Sequence, residues 1–83
     1  MTTFNKTSGI IICSKTSVSS LPTTISDSRI TEGHVPLRAI LSNPAAQLGD
    51  WTVTTSAGEA VISGSIGSTT NITLYLGNSA ISD

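Results

Sequence analysis

The sequence predicts an all-β fold: a small antiparallel meander or sandwich of four to five short strands, completed by oligomerisation. Three observations lead there. Thr, Ser, Ile and Val dominate while helix-forming runs are nearly absent, the composition of pleated, half-buried segments. Gly, Asn, Asp and Pro punctuate the chain every several residues, as turns require. From residue 51 onward, apolar and polar residues alternate with the period of two that marks strands with one buried face. With 83 residues there is room for one domain, whose core is small because a chain of this size buries only about 60% of the surface its unfolded form exposes. Within it, residues 1–24 read as an N-terminal strand and an extended connection, and residues 25–83 as the meander.

The elements follow in order. Residues 9–15 form a strand whose Ile10, Ile11, Ile12 and Cys13 are apolar without alternation, so both of its faces need covering. These four residues are therefore expected at a seam between subunits. Residues 17–29, rich in Ser and Thr around Leu21-Pro22, read as an extended connection. Residues 35–41 place Val35, Leu37, Ala39 and Leu41 on one face and His34, Arg38 and Ile40 on the other, with Pro36 confining this strand to a sheet edge. Residues 44–48 are too short for more than one helical turn and read as a loop. Residues 51–55 put Trp51 and Val53 on one face and Thr52 and Thr54 on the other, and Ser56-Ala57-Gly58-Glu59 has turn chemistry. In residues 60–66, Ala60, Ile62, Gly64 and Ile66 share a face. After the turn at residues 67–70, Ile72, Leu74 and Leu76 point together, opposed by Thr73 and Tyr75. These last three strands are expected to form the meander.

So small a core calls for a further source of stability. Cys13 is the single cysteine and closes no intrachain disulfide, and no Cys/His cluster is present for a structural metal. Self-association remains, and the expected state is a homo-oligomer, most simply a trimer.

Function classes are narrowed by the same inventory. Two Lys and two Arg against five acidic residues leave a net charge of −1 and no basic stripe for nucleic acid. The apolar run at residues 10–13 is too short for a signal-peptide core or a membrane span, so no membrane insertion is expected, and a free thiol without a signal fits synthesis in a reducing cytoplasm. One His, one Cys and five scattered carboxylates offer no convergent set at motif spacing. No catalytic residue, metal site or cofactor is assigned, and a non-enzymatic protein is expected. Gly64-Ser65-Ile66-Gly67 lacks the lysine of a phosphate loop. What survives as binding chemistry is Arg29 and Arg38 with His34, whose symmetric copies could converge on an anion, and the amphipathic rings of Trp51 and Tyr75. Trp51 is favoured as core, whereas Tyr75 stays open between core and contact.

From Ile25 onward the chain resembles the C-terminal β modules of tail-fibre and baseplate-appendage receptor-binding proteins of bacteriophages that infect Gram-positive bacteria. The likeness is carried by Ile30-Thr31, Ser42-Asn43-Pro44, Trp51-Thr52-Val53-Thr54-Thr55, Ser63-Gly64-Ser65-Ile66 and Ile72-Thr73-Leu74-Tyr75-Leu76, and it covers about two thirds of the chain. It implies a homotrimeric structural or receptor-binding module on a virion, with a cell-surface glycan or another virion component as target and no catalytic residues. Fibre proteins are long, with an attachment region and a shaft that these 83 residues do not contain. Two further classes therefore stand beside it: a soluble phage-encoded oligomer in the host cytoplasm that binds a small molecule, such as a host immune signal, at a subunit junction, and an inhibitor that docks a host protein by strand addition.

Overall fold

The computed structural model describes residues 10–78 and is all-β, with six strands in two antiparallel sheets and no helix. In chain order these are β1 (Ile10–Val18), β2 (Thr23–Ser26), β3 (His34–Leu41), β4 (Leu48–Ser56), β5 (Glu59–Ile66) and β6 (Thr70–Asn78). Gly9, with which the first strand was expected to open, lies outside the described residues. One sheet has the order β1-β6-β3 and the other β2-β5-β4. The fold is thus the sandwich form of the expected class. Two strands depart from expectation. The connection over residues 17–29 contains a short strand, β2, which pairs with β5 from Thr23↔Ile62 to Ser26↔Glu59. The last three strands do not form a meander: β4 and β5 make a hairpin, but β6 crosses to the other sheet and lies between β1 and β3. Alternation specifies which side chains share a face, not which strand lies alongside.

The core sits between the sheets, where two inner faces interdigitate. Ile72, Leu74 and Leu76 from the middle strand β6 are fully buried against Ala60 and Ile62 of β5, with Ile11 and Cys13 of β1 and Ile25 of β2 closing the sides. Trp51 and Val53 of β4 pack on this core while remaining only half-buried. Their face assignment from the sequence is correct.

Two glycines are demanded by geometry. The β4–β5 hairpin turns through Ala57-Gly58, with Gly58 at φ +82°, a conformation that costs an L side chain energy. Opposite Gly64, at φ +138°, β4 carries an extra residue between Gly49 and Thr52, and Asp50 takes φ +49° there. A Cβ on Gly64 would lie 2.7 Å from Trp51 Cα and 2.9 Å from the Gly49 carbonyl oxygen, so only glycine allows this approach.

Polar side chains tie the connections down. Asn43 donates its amide N–H to Thr70 Oγ1 at 2.9 Å and its side-chain amide to the Thr69 carbonyl, and Ser42 Oγ accepts from the Asn71 amide. The Ser42-Asn43-Pro44 segment therefore fastens the start of the β3–β4 connection to the start of β6.

Candidate functional site

Each sheet of a sandwich has an inner face in the core and an outer face toward water, and outer faces are ordinarily polar. On the β2-β5-β4 sheet this holds: the pairs Thr24↔Val61↔Thr54 and Ser63↔Thr52 line its outer face with hydroxyls around a single valine. The β1-β6-β3 sheet is different. The exposed large aliphatic residues among the described residues are Ile10, Ile12, Val35, Leu37 and Ile40, and all five belong to the outer face of this sheet.

A β-bulge creates the patch. Period two from Ala39 and Leu41 would put Val35 and Leu37 in the core, as the sequence predicts. However, β3 and β6 slip register between Pro36 and Arg38, so that Pro36↔Leu76 is followed by Arg38↔Tyr75 with Leu37 unpaired. One extra residue reverses the parity. Ala39 and Leu41 still pack on the core, but Val35 and Leu37 turn outward beside Arg38 and Ile40. The side chain of Leu37 lies over Gly77 of β6, within 3.1 Å of where a Cβ would stand, and so fills the hollow that the glycine leaves. The sequence signal for this was Pro36, since proline inside a strand marks an edge or a bulge.

Register sets the layout of the face. Ile10, Gly77 and Val35 form one row across the three strands, Ile12, Tyr75 and Arg38 the next, and Ser14, Thr73 and Ile40 the third. In the middle row the guanidinium carbon of Arg38 stands 4.2 Å from the Tyr75 ring centroid, a cation–π contact that covers one face of the ring. Tyr75 is half-buried and Arg38 exposed.

Of the residues expected at a subunit seam, Ile11 and Cys13 instead enter the protomer's own core, both 7% exposed, because β1 alternates after all. Ile10 and Ile12 occupy the outer face. Burial pushes the Cys13 thiol above its ordinary pKa, and its Sγ faces the Leu74 carbonyl at 3.9 Å.

Nor does one protomer bring Arg29 and His34 to Arg38. Arg29 closes a tight turn with Asp27: its Nε donates to Asp27 Oδ1 at 3.0 Å and its Nη2 to Oδ2 at 2.8 Å, holding the carboxyl at a pKa of about 2. The same Nη2 donates to the Ile12 carbonyl at 3.1 Å. That oxygen belongs to β1, an edge strand, so Arg29 caps a backbone acceptor that an added strand would use. His34 is buried at the start of β3, where its Nδ1 accepts from the Thr31 amide at 3.0 Å and its carbonyl accepts from Thr55 Oγ1. Its ring fastens a turn and its backbone bridges the sheets. Arg38 and Tyr75 are the pair of sequence candidates that meet; Ile40 shares the face of Arg38 as the sequence has it, and Val35 and Leu37 are the face residues that sequence reasoning did not place there.

Among the described residues no three His, Cys, Asp or Glu side chains gather as a metal site, and no helix is long and apolar enough to cross a membrane. No family model, curated protein or solved structure matches the chain.

Proposed function

We propose that this protein is a non-catalytic, self-associating β module in which copies of the chain close together through the outer faces of their β1-β6-β3 sheets. The observation that carries the reading is one-sidedness: five exposed large aliphatic residues share one outer face, while the opposite outer face is lined by Thr and Ser. A contiguous apolar patch of this kind on a small domain marks an interaction surface. Capping of the β1 edge by Arg29 favours association through the face over strand addition, which weighs against the strand-adding inhibitor.

Each copy commits only a small face to the assembly. The three rows span about 14 Å along the strands and about 10 Å across them, on the order of 300 Å² once side-chain width is added. Two such faces pressed together would remove about 600 Å² in total, and three around one axis about 900 Å² shared among three contacts, so the area does not select the copy number. The trimer, with an apolar axis, is what the resemblance to phage receptor-binding modules implies. In that setting the chain is a virion component whose Thr- and Ser-lined surface faces outward toward a cell-surface glycan. A second reading, a soluble oligomer holding a small molecule between subunits, draws support from Arg38, a cation at the centre of the same face.

Sedimentation velocity at micromolar concentration tests the proposal. The parent chain sediments as a trimer, and Leu37→Asp, which alters a residue 53% exposed in the protomer, sediments as a folded monomer. A parent chain that is itself a folded monomer, or a Leu37→Asp variant that stays assembled, overturns it.

A further inference from the structure

The guanidinium of Arg38 lies above the ring of Tyr75, and Tyr75 belongs to the middle strand of its sheet, so a positive charge stands near the centre of the apolar face. Ile10 and Ile12 flank it on β1, and Val35, Leu37 and Ile40 on β3. The strands of this sheet carry no counter-charge: Arg38 and Lys15 are cationic, while Asp27 and Glu32 lie in the β2–β3 connection, Asp50 in β4 and Glu59 in β5. Asp27 is already engaged by Arg29. Among the described residues the Arg38 guanidinium meets the Tyr75 ring and no hydrogen-bond acceptor. A ring satisfies the plane of a guanidinium but none of its five N–H donors.

Closing copies of this face on one another removes water from those donors and gathers like charges in an apolar surrounding. Both effects oppose assembly unless an acceptor of opposite charge is enclosed. The copies bring none on these strands, and a bound anion would supply it. We infer that the assembled faces enclose a phosphate-class oxyanion, gripped by one Arg38 guanidinium from each copy. The guanidinium fork matches phosphate oxygens bidentately, and a group carrying close to two negative charges and several acceptor oxygens serves more than one fork at once. Arg29 takes no part, since its guanidinium is held on Asp27 and the Ile12 carbonyl, and neither does the buried His34. The inference rests on the face-to-face assembly proposed above and adds its ligand. The same chemistry admits a free ion or a phosphate substituent on a sugar.

The experiment compares self-association of the 83-residue chain by sedimentation velocity in chloride alone and with millimolar inorganic phosphate or hexose phosphate at matched ionic strength. The expected result is self-association tightened about tenfold by phosphate, as linkage requires of a ligand that binds only the assembled form. Arg38→Leu should assemble in chloride at least as well as the parent and ignore phosphate. An equal response to hexose phosphate supports a substituent as the natural ligand, and a response to inorganic phosphate alone supports a free ion. Parent chains that assemble identically with and without phosphate overturn the inference and leave the assembly standing. A phosphate response retained by Arg38→Leu does the same, because it would report general salting-out of apolar surface. A parent chain that stays a folded monomer in every buffer overturns assembly and ligand together.

Discussion

Adjacent residues of β1 offer the sharpest test of how this sandwich divides its inner and outer faces, because Ile11 is 7% exposed and Ile12 49%. Ile11→Asp removes nearly all of a burial worth about 1.5–3 kcal/mol. It also forces a carboxyl between two apolar sheets at a cost of several kcal/mol, whether the group stays charged or takes up a proton. The sum, at least about 4 kcal/mol, reaches the lower end of the stability expected of a domain this small, about 4–12 kcal/mol at ~0.05–0.15 kcal/mol per residue. Ile12→Asp forfeits about half of one burial, roughly 1 kcal/mol, and up to about 1 kcal/mol more for the poor strand preference of Asp. Thermal unfolding followed by far-UV circular dichroism should therefore show no cooperative transition for Ile11→Asp. Ile12→Asp should keep one, lowered by about 5–15 °C at ~4–8 °C per kcal/mol. Unfolding of Ile12→Asp as complete as that of Ile11→Asp would refute the reasoning that the two sheets supply a self-sufficient core. A folded Ile11→Asp would refute the face assignment of β1.

Two further expectations rest on separate features. Gly64→Ala brings a Cβ to 2.7 Å from Trp51 Cα at φ +138°, so the β4 bulge must shift; chemical denaturation should show a loss of about 2 kcal/mol or more, and a parent-like midpoint would show that the bulge is pliable. Asp27→Asn removes the carboxylate that Arg29 holds at a pKa of about 2 against an ordinary 3.8. Because the folded-state pKa is the lower one, the pair's contribution is present above the unfolded value and disappears as pH falls through about 2. The stability difference between parent and Asp27→Asn should accordingly be constant from neutral pH to about 5, fall steeply towards pH 2 and vanish below it; a difference that does not shrink over this range would assign the effect to the turn rather than the charge.

The sequence by itself determined the secondary-structure class and most of the facing within strands. Period-two patterning needs only local information, so Ile72, Leu74 and Leu76, Ala60 and Ile62, and Trp51 and Val53 were all assignable to the core side before any strand had a neighbour. The Ala57-Gly58 hairpin was legible for the same reason, since its conformation is set by the residues that make it. Strand order was not legible. Sheet membership is decided by contacts between residues far apart in the chain, such as Ile11↔Leu76 and Ala39↔Leu74, and the alternation of β6 reads identically beside β5 or between β1 and β3. The short strand β2 went unseen because four residues are too few to show a period. The candidate site was the part most dependent on tertiary structure. Ile10 and Ile12 were marked by the apolar run in which they lie, but the outward turn of Val35 and Leu37 follows from a single unpaired residue opposite β6, and the placing of Arg38 over Tyr75 from the register after it. A bulge is a property of two strands together, so one strand's pattern hints at it only through Pro36, and the exposed apolar face exists only once β3 has been laid against β6.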